Sequence, residues 1–160
     1  MRKLVLVDFD KTLTTKDTTK ILILALLRSR PWLIFNIFII FLKMKRANGV
    51  DLQILKNSAV NKLIMRKKSE DVLQSLENSK IHVKTLLRLD LLKRFIKHSD
   101  SGIIVIILTA SPTFAVSHFM SDFPFEVIGT DFETRHDIFG SRIINPICFG
   151  EGKVEKIKQW

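Results

Sequence analysis

Cysteine is nearly absent: the 160-residue chain carries one, Cys148, so no internal disulfide can form. No histidine and cysteine cluster surrounds it, which argues against a zinc centre and fits a reducing compartment. Composition shows no bias toward disorder, collagen or low complexity, because 46% apolar and 26% charged residues match an ordinary globular protein. A chain of this length is about one domain and buries a core without staples. No secretory leader is expected, since the apolar stretch after Lys3, Leu4-Val5-Leu6-Val7, is too short for a signal-peptide core before Asp8. Internal repeats, zinc-finger patterns and RNA-binding signatures are missing as well.

What is present in excess is positive charge, 26 Lys and Arg against 16 Asp and Glu, a net +10. Such a surface attracts nucleic acid, anionic lipid or phosphorylated substrates alike. The cations are scattered in short runs such as Lys43-Met44-Lys45-Arg46 and Arg66-Lys67-Lys68. A solvated basic face is therefore the expectation, and no nucleic-acid partner is expected.

Within residues 3–7 every residue after Lys3 is apolar, the pattern of a strand buried on both faces. An acidic, threonine-rich loop follows from Asp8 to Thr19. Ile21 to Leu42 is mostly apolar, interrupted by Arg28-Ser29-Arg30-Pro31. As one membrane span it would place two arginines centrally, at roughly 5–7 kcal/mol on an insertion scale. A span would also separate Asp8 from the later polar residues of its site, so two apolar helices broken at Pro31 are expected. Asn48-Gly49 reads as a helix stop with Asp51 as the next N-cap, and Ser69 as a further cap. One long helical pattern runs through Val83, Leu87, Leu91 and Phe95 to Ser101-Gly102. Ile103 to Leu108 is the strongest strand signal, with Ser111 placed to cap a helix that starts at Pro112. Phe125 to Thr130 is a third strand, the Gly140 to Gly150 region an extended ribbon, and Glu151 to Trp160 a helix. Helices and strands alternating at both ends predict an α/β sheet with a helical insertion.

The segment Asp8-Phe9-Asp10-Lys11-Thr12 falls at the carboxyl end of the first strand, where open α/β sheets bind ligands. Two carboxyl groups there offer a nucleophile, a general acid or base, and hard oxygen ligands for Mg²⁺. Alone, the pair also fits an acidic turn. Thr109 ends the second buried strand, and its hydroxyl with the following N–H groups can hold phosphate oxygens or simply cap a helix. Lys153, after Phe149-Gly150-Glu151-Gly152, can offset negative charge or be one more surface lysine.

As an ordered set these segments resemble the haloacid dehalogenase superfamily in its phosphoserine-phosphatase-like branch. Asp8-x-Asp10-x-Thr12 resembles the first family motif, Leu108-Thr109-Ala110-Ser111-Pro112 the second, and Gly150-Glu151-Gly152-Lys153-Val154 the third. The resemblance runs over essentially the whole chain. It implies a Rossmann-like core, a parallel sheet flanked by helices, built from residues 1–16 and 99–160. An all-helical cap would fill residues 17–98. It also implies Mg²⁺-dependent phosphomonoester hydrolysis through an aspartyl-phosphate. Asp8 is the implied nucleophile and Asp10 the acid and base. Thr109, Ala110 and Lys153 are the implied phosphate ligands, and Asp8 with the Asp10 carbonyl the metal ligands. Asp10 favours phosphatase over carbon–halogen cleavage, because dehalogenating relatives generally lack it. Lys11 stands where the family often has glycine. Asp10-Lys11-Thr12 also resembles the phosphorylated segment of cation-pumping ATPases, which a chain of this size cannot build.

The family's fourth motif, an acidic strand end that completes the Mg²⁺ site, does not follow Lys153. Asp131, Glu133 and Asp137 precede it and do not match in order. The core is therefore expected to be truncated at its C-terminus, with weakened turnover and an unpaired edge beside the first strand. The expected partner is a phosphorylated small molecule, lipid headgroup or phosphoprotein. The apolar stretch from Trp32 to Leu42 suits a greasy pocket, a homodimer face or peripheral membrane contact. The expected location is the cytoplasm, with membrane association as the alternative. A non-catalytic phosphate-binding or membrane-associated domain is the rival function. His82, Arg88 and His98 are candidates to face substrate, but the first reading of each is an ordinary helix-surface residue.

Overall fold

The computed structural model describes residues 3–160; Met1 and Arg2, which the sequence reading places at the start of the core, lie outside the described residues. Strand β1 (Leu4–Val7) leads into a tight turn over Phe9–Leu13, then helix α1 (Thr19–Arg28) and, past a short turn at Pro31–Leu33, helix α2 (Ile34–Met44). Helices α3 (Gly49–Ile64), α4 (Ser69–Ser75), α5 (Glu77–Thr85) and α6 (Leu89–Asp100) complete the helical stretch. Strand β2 (Ile104–Pro112), helix α7 (Thr113–Phe119), strands β3 (Glu126–Arg135) and β4 (Ile138–Ile144) and helix α8 (Glu151–Gln159) follow. The sheet has the order β1-β2-β3-β4. Its first three strands run parallel, with Leu4 opposite Ile104 and Ile106 opposite Glu126, and β4 returns antiparallel to β3. This is the α/β architecture expected, a mainly parallel sheet flanked by helices.

Pro31 breaks the apolar stretch as anticipated, because proline lacks the N–H that a continuing helix needs. The two products are too short to span a bilayer: among the described residues no helix is long and apolar enough to cross one.

Several expectations change. Strand β1 is not buried on both faces, since Leu4 is 43% and Leu6 47% exposed while Val7 is buried. It forms the edge of the sheet, so its Leu4 and Leu6 face lacks a covering layer among the described residues. The helix expected from Asp51 starts two residues earlier, at Gly49, with Asn48 extended before it and Asp51 in the first turn. Likewise α4 begins on Ser69 itself, after Lys68. The single long helix through Val83 to Ser101 is two. The chain opens between them because the Thr15 N–H donates to the Leu86 carbonyl at 2.8 Å and the Arg88 N–H to the Leu13 carbonyl at 2.8 Å. Those bonds fasten the helical stretch to the turn that follows β1.

A second fastening lies at the far side. Between α3 and α4 the Arg66 N–H donates to the Phe139 carbonyl at 2.8 Å, and the Phe139 N–H to the Lys67 carbonyl at 2.9 Å. One buried cluster then joins Leu26, Val60 and Leu63 of the helices to Val105, Ile107 and Phe132 of the sheet.

Candidate active site

The two cleft carboxylates, Asp8 and Asp10, come from the turn after β1. Phe9 and Leu13 are fully buried and anchor it, while the Leu13 and Thr14 N–H groups close back on the Asp8 and Phe9 carbonyls at 3.3 and 2.9 Å. Lys11 sits between them at φ 64°, a left-handed conformation that glycine adopts more readily. The turn leaves Asp8 and Asp10 at the carboxyl end of the parallel sheet.

Lys153 reaches the same place from α8. Gly150 takes φ 55° just before the helix, and a Cβ on Gly152 would collide with the Ile147 carbonyl. Glycines at both positions let the helix start close under the strand ends, and its third residue points at Asp8. The Lys153 Nζ donates to Asp8 Oδ1 at 2.6 Å, and the Thr12 hydroxyl donates to Asp8 Oδ2 at 3.2 Å. A sequence separation of 145 residues is thus closed to one ion pair.

Asp10 is held more deeply. Its Oδ1 accepts from the Thr18 N–H at 2.6 Å and the Thr18 hydroxyl at 2.8 Å, and its Oδ2 from the Ser111 hydroxyl at 2.5 Å. Burial pushes its carboxyl above the ordinary value; hydrogen bonds from Ser111 and Thr18 oppose this, and the Asp17 charge adds to it. Thr109 is buried within the sheet's second strand, three residues before its end, and its Oγ1 accepts from the Ser111 N–H at 3.1 Å. The Ala110 carbonyl accepts from the Asn57 amide at 3.3 Å and the Thr130 hydroxyl at 2.9 Å, which fixes the following peptide.

Asp8, Asp10, Thr109, Ala110 and Lys153 line one cleft of about 410 Å³, so every site residue read from the sequence is brought together. The sequence reading missed others. Ser111 does not cap a helix: β2 runs on through Pro112, the helix starts at Thr113, and the Ser111 hydroxyl turns to Asp10 instead. Asp17 and Lys56 also line the cleft, paired at 2.5 Å. For Asp17 burial is the largest influence and pushes upward, but the hydrogen bond and charge of Lys56, with Thr19, hold the carboxyl below its ordinary value. His82 and Arg88, read as plain surface residues, line an adjoining cavity of about 640 Å³ with Lys16 and Lys20. Lys11 and Asp17 border both spaces. Asp131 stays out of the cleft, accepting from Thr113 at 2.6 Å and pairing with Lys156. A larger cavity of about 780 Å³ beside α4 gathers His118, His136 and Asp137 but none of these carboxylate pairs.

Among the described residues no group of three His, Cys, Asp or Glu side chains is placed to hold a metal. The cleft is lined instead by Asp8 and Asp10, which bring hard oxygen atoms. Hard oxygens of this kind suit Mg²⁺, which keeps several waters and takes one or two carboxylates with substrate phosphate.

Fold and cleft describe an α/β protein with a carboxylate paired to a lysine at the carboxyl edge of a parallel sheet. The chain belongs to the haloacid dehalogenase-like hydrolase family, whose profile matches residues 5–160. It is therefore a hydrolase by family. Solved structures with the same fold include a protein of unknown function from Bordetella pertussis Tohama I, at TM-score 0.76 and 18% identity over 100% of this chain and 74% of that one. A phosphoserine phosphohydrolase-like protein from Francisella tularensis subsp. tularensis SCHU S4 aligns at TM-score 0.62 and 14% identity, covering 99% and 73%. A phosphoserine phosphatase in the form of a phospho-aspartyl intermediate analogue aligns at 0.56 and 12%, covering 99% and 70%. No curated protein sequence matches the chain.

Proposed function

We propose that the chain is a Mg²⁺-dependent phosphomonoester hydrolase working through an aspartyl-phosphate on Asp8. The observation that carries this reading is the Asp8–Lys153 pair at 2.6 Å in one cleft with Asp10 and Thr109. An Asp8 oxygen attacks phosphorus, the bond to the ester oxygen breaks, and Asp10 gives that oxygen its proton. Water then loses a proton to Asp10 and attacks phosphorus, and cleavage of the bond to Asp8 releases phosphate and restores the carboxylate. Burial shifts Asp10 toward its protonated form relative to an ordinary carboxyl, the direction a general acid needs. Three of its roughly four acceptor positions are taken by Thr18 and Ser111, which orient the group and leave one for the reacting oxygen.

Lys153 offsets repulsion between carboxylate and phosphate, and the Thr109 hydroxyl with the Ala110 N–H holds phosphoryl oxygens. When bound by Asp8 and the Asp10 carbonyl, Mg²⁺ supplies further positive charge at the phosphoryl group. In this reading residues 17–98 form the cap over a core of 1–16 and 99–160. The basic cavity bordered by Lys11, Lys16, Lys20 and Arg88 receives the leaving group, which favours a small, anionic phosphorylated metabolite.

Hydrolysis of p-nitrophenyl phosphate with Mg²⁺ tests the proposal against Asp8→Asn and a chelated control. Asp8→Asn should lose turnover by on the order of 10³-fold or more, since the nucleophile itself is removed. Retained turnover in that variant overturns the reading.

A further inference from the structure

We propose that α2 and the turn before it dock the protein on an anionic lipid surface. From Pro31 to Leu42 the only polar side chain is Asn36. Ile37 and Ile40 are buried and hold the helix on its neighbours. The rest of its circumference is turned outward: Trp32 and Phe35 are each 71% exposed, Phe38 is 57% exposed, and Ile39, Phe41 and Leu42 are exposed with them. Helices apolar on nearly all sides normally lie inside a protein or a membrane, and this one lies at the surface. Its 11 residues reach only about 16 Å, well short of the roughly 30 Å hydrocarbon core, so it can lie in the interface but not cross.

Charge selects the occupant. Between Thr18 and Val50 there is no acidic residue, while Lys20, Arg28, Arg30, Lys43, Lys45 and Arg46 flank the apolar face at both ends. The Lys20 ammonium stands 6.0 Å from the Phe41 ring centroid, on the border of that face. An aromatic and aliphatic face rimmed by cations matches acyl chains under anionic headgroups, with the long cationic side chains reaching the phosphates. A second copy of the same face would set these cations against their own kind, which opposes a symmetric dimer.

Trp32 provides the probe. In a Trp160→Phe chain it is the only tryptophan. Mixed with phosphatidylcholine vesicles holding about 30 mol% phosphatidylserine, this chain should cosediment and its emission should shift blue. Pure phosphatidylcholine, or about 0.5 M salt with the anionic vesicles, should weaken binding by about tenfold. The double variant Phe35→Ser, Phe38→Ser changes exposed positions and should keep its circular dichroism. Its partition should drop at least about tenfold. Absence of binding to anionic vesicles, equal binding to neutral ones, or undiminished binding by the double variant overturns the proposal. A dimer that forms without vesicle binding and dissolves in the double variant assigns the face to a second copy and overturns it too. Because no turnover is read, the outcome stands apart from the phosphatase reading.

Discussion

Lys11 shows what a single backbone angle costs. At φ 64° and ψ −2° it sits in the left-handed region, where an L side chain loses roughly 1–2 kcal/mol relative to the right-handed one. Glycine avoids that strain but brings about 0.5–1 kcal/mol of extra chain entropy to the unfolded state. Lys11→Gly should therefore raise stability by up to about 1 kcal/mol, and Lys11→Val should lower it by at least about 1 kcal/mol. Urea unfolding orders the three chains, and the reverse order would show that the turn is not held by this strain. The buried Cys148 makes the second residue-scale prediction. Burial pushes its thiol from about 9 up to about 11, with Lys153 and Lys156 pulling weakly the other way. The thiolate is the reactive form, so at pH 8 the native chain should resist thiol reagents that modify the unfolded chain readily. The folded state prefers the protonated thiol. Its contribution is thus complete below pH 9 and lost as pH climbs toward 11, a slope that Cys148→Ala should remove from a stability-against-pH curve.

Between elements, the tie that matters is Asp17 to Lys56, which joins the loop after the Asp8–Asp10 turn to α3. Both side chains are largely buried, so removing one partner leaves a charge without compensation. Lys56→Met should cost about 1–3 kcal/mol at neutral pH, discounted from fully buried pairs because some solvent reaches the site. Asp17 has its carboxyl held low in the folded state. Its contribution is accordingly present above the ordinary carboxylate value and lost as pH falls through the folded one. The difference between Lys56→Met and the parent chain should narrow steadily as pH falls below the ordinary carboxylate value of about 4, and a difference that does not shrink with acidification would deny the ion pair its role. This pair also marks where sequence reading stops. Asp8, Asp10, Thr109 and Lys153 are legible because each follows a strand or a glycine turn in a characteristic order. Lys56 and Ser111 carry no such mark: they reach Asp17 and Asp10 across 39 and 101 residues, distances that only packing closes. The β3–β4 hairpin was obscure for another reason. Its turn places His136 and Asp137 at φ 48° and 61°, a conformation that usually advertises itself with Asn-Gly or Asp-Gly. The exposed face of β1 was misread because an apolar run looks the same at a sheet edge and at its centre.

At the scale of the whole molecule, the question is whether helices and sheet are one thermodynamic body. The main-chain bonds at Leu13–Arg88 and Arg66–Phe139 pin the helical stretch to the turn after β1 and to strand β4. The buried cluster holds Val60 and Leu63 of the helices together with Val105 and Ile107 of the sheet. A helical layer able to melt alone would have to expose that shared surface on both sides, and a chain of this size normally unfolds in one step. Hydrogen exchange reads this directly. Slow amides around Val60–Leu63 in α3 and around Val105–Ile107 in β2 should report the same opening free energy, that of global unfolding. Leu63→Ala empties a fully buried position in α3 and should lower both values together, by about 2–5 kcal/mol. A fall confined to α3 would separate the two layers. Joint behaviour has a consequence for the cleft, because the turn carrying Asp8 and Asp10 is itself bonded to the helical stretch through Leu13, Thr15, Leu86 and Arg88. Activity in Leu63→Ala should then decline with the folded fraction as urea is raised, while turnover per folded molecule stays that of the parent chain.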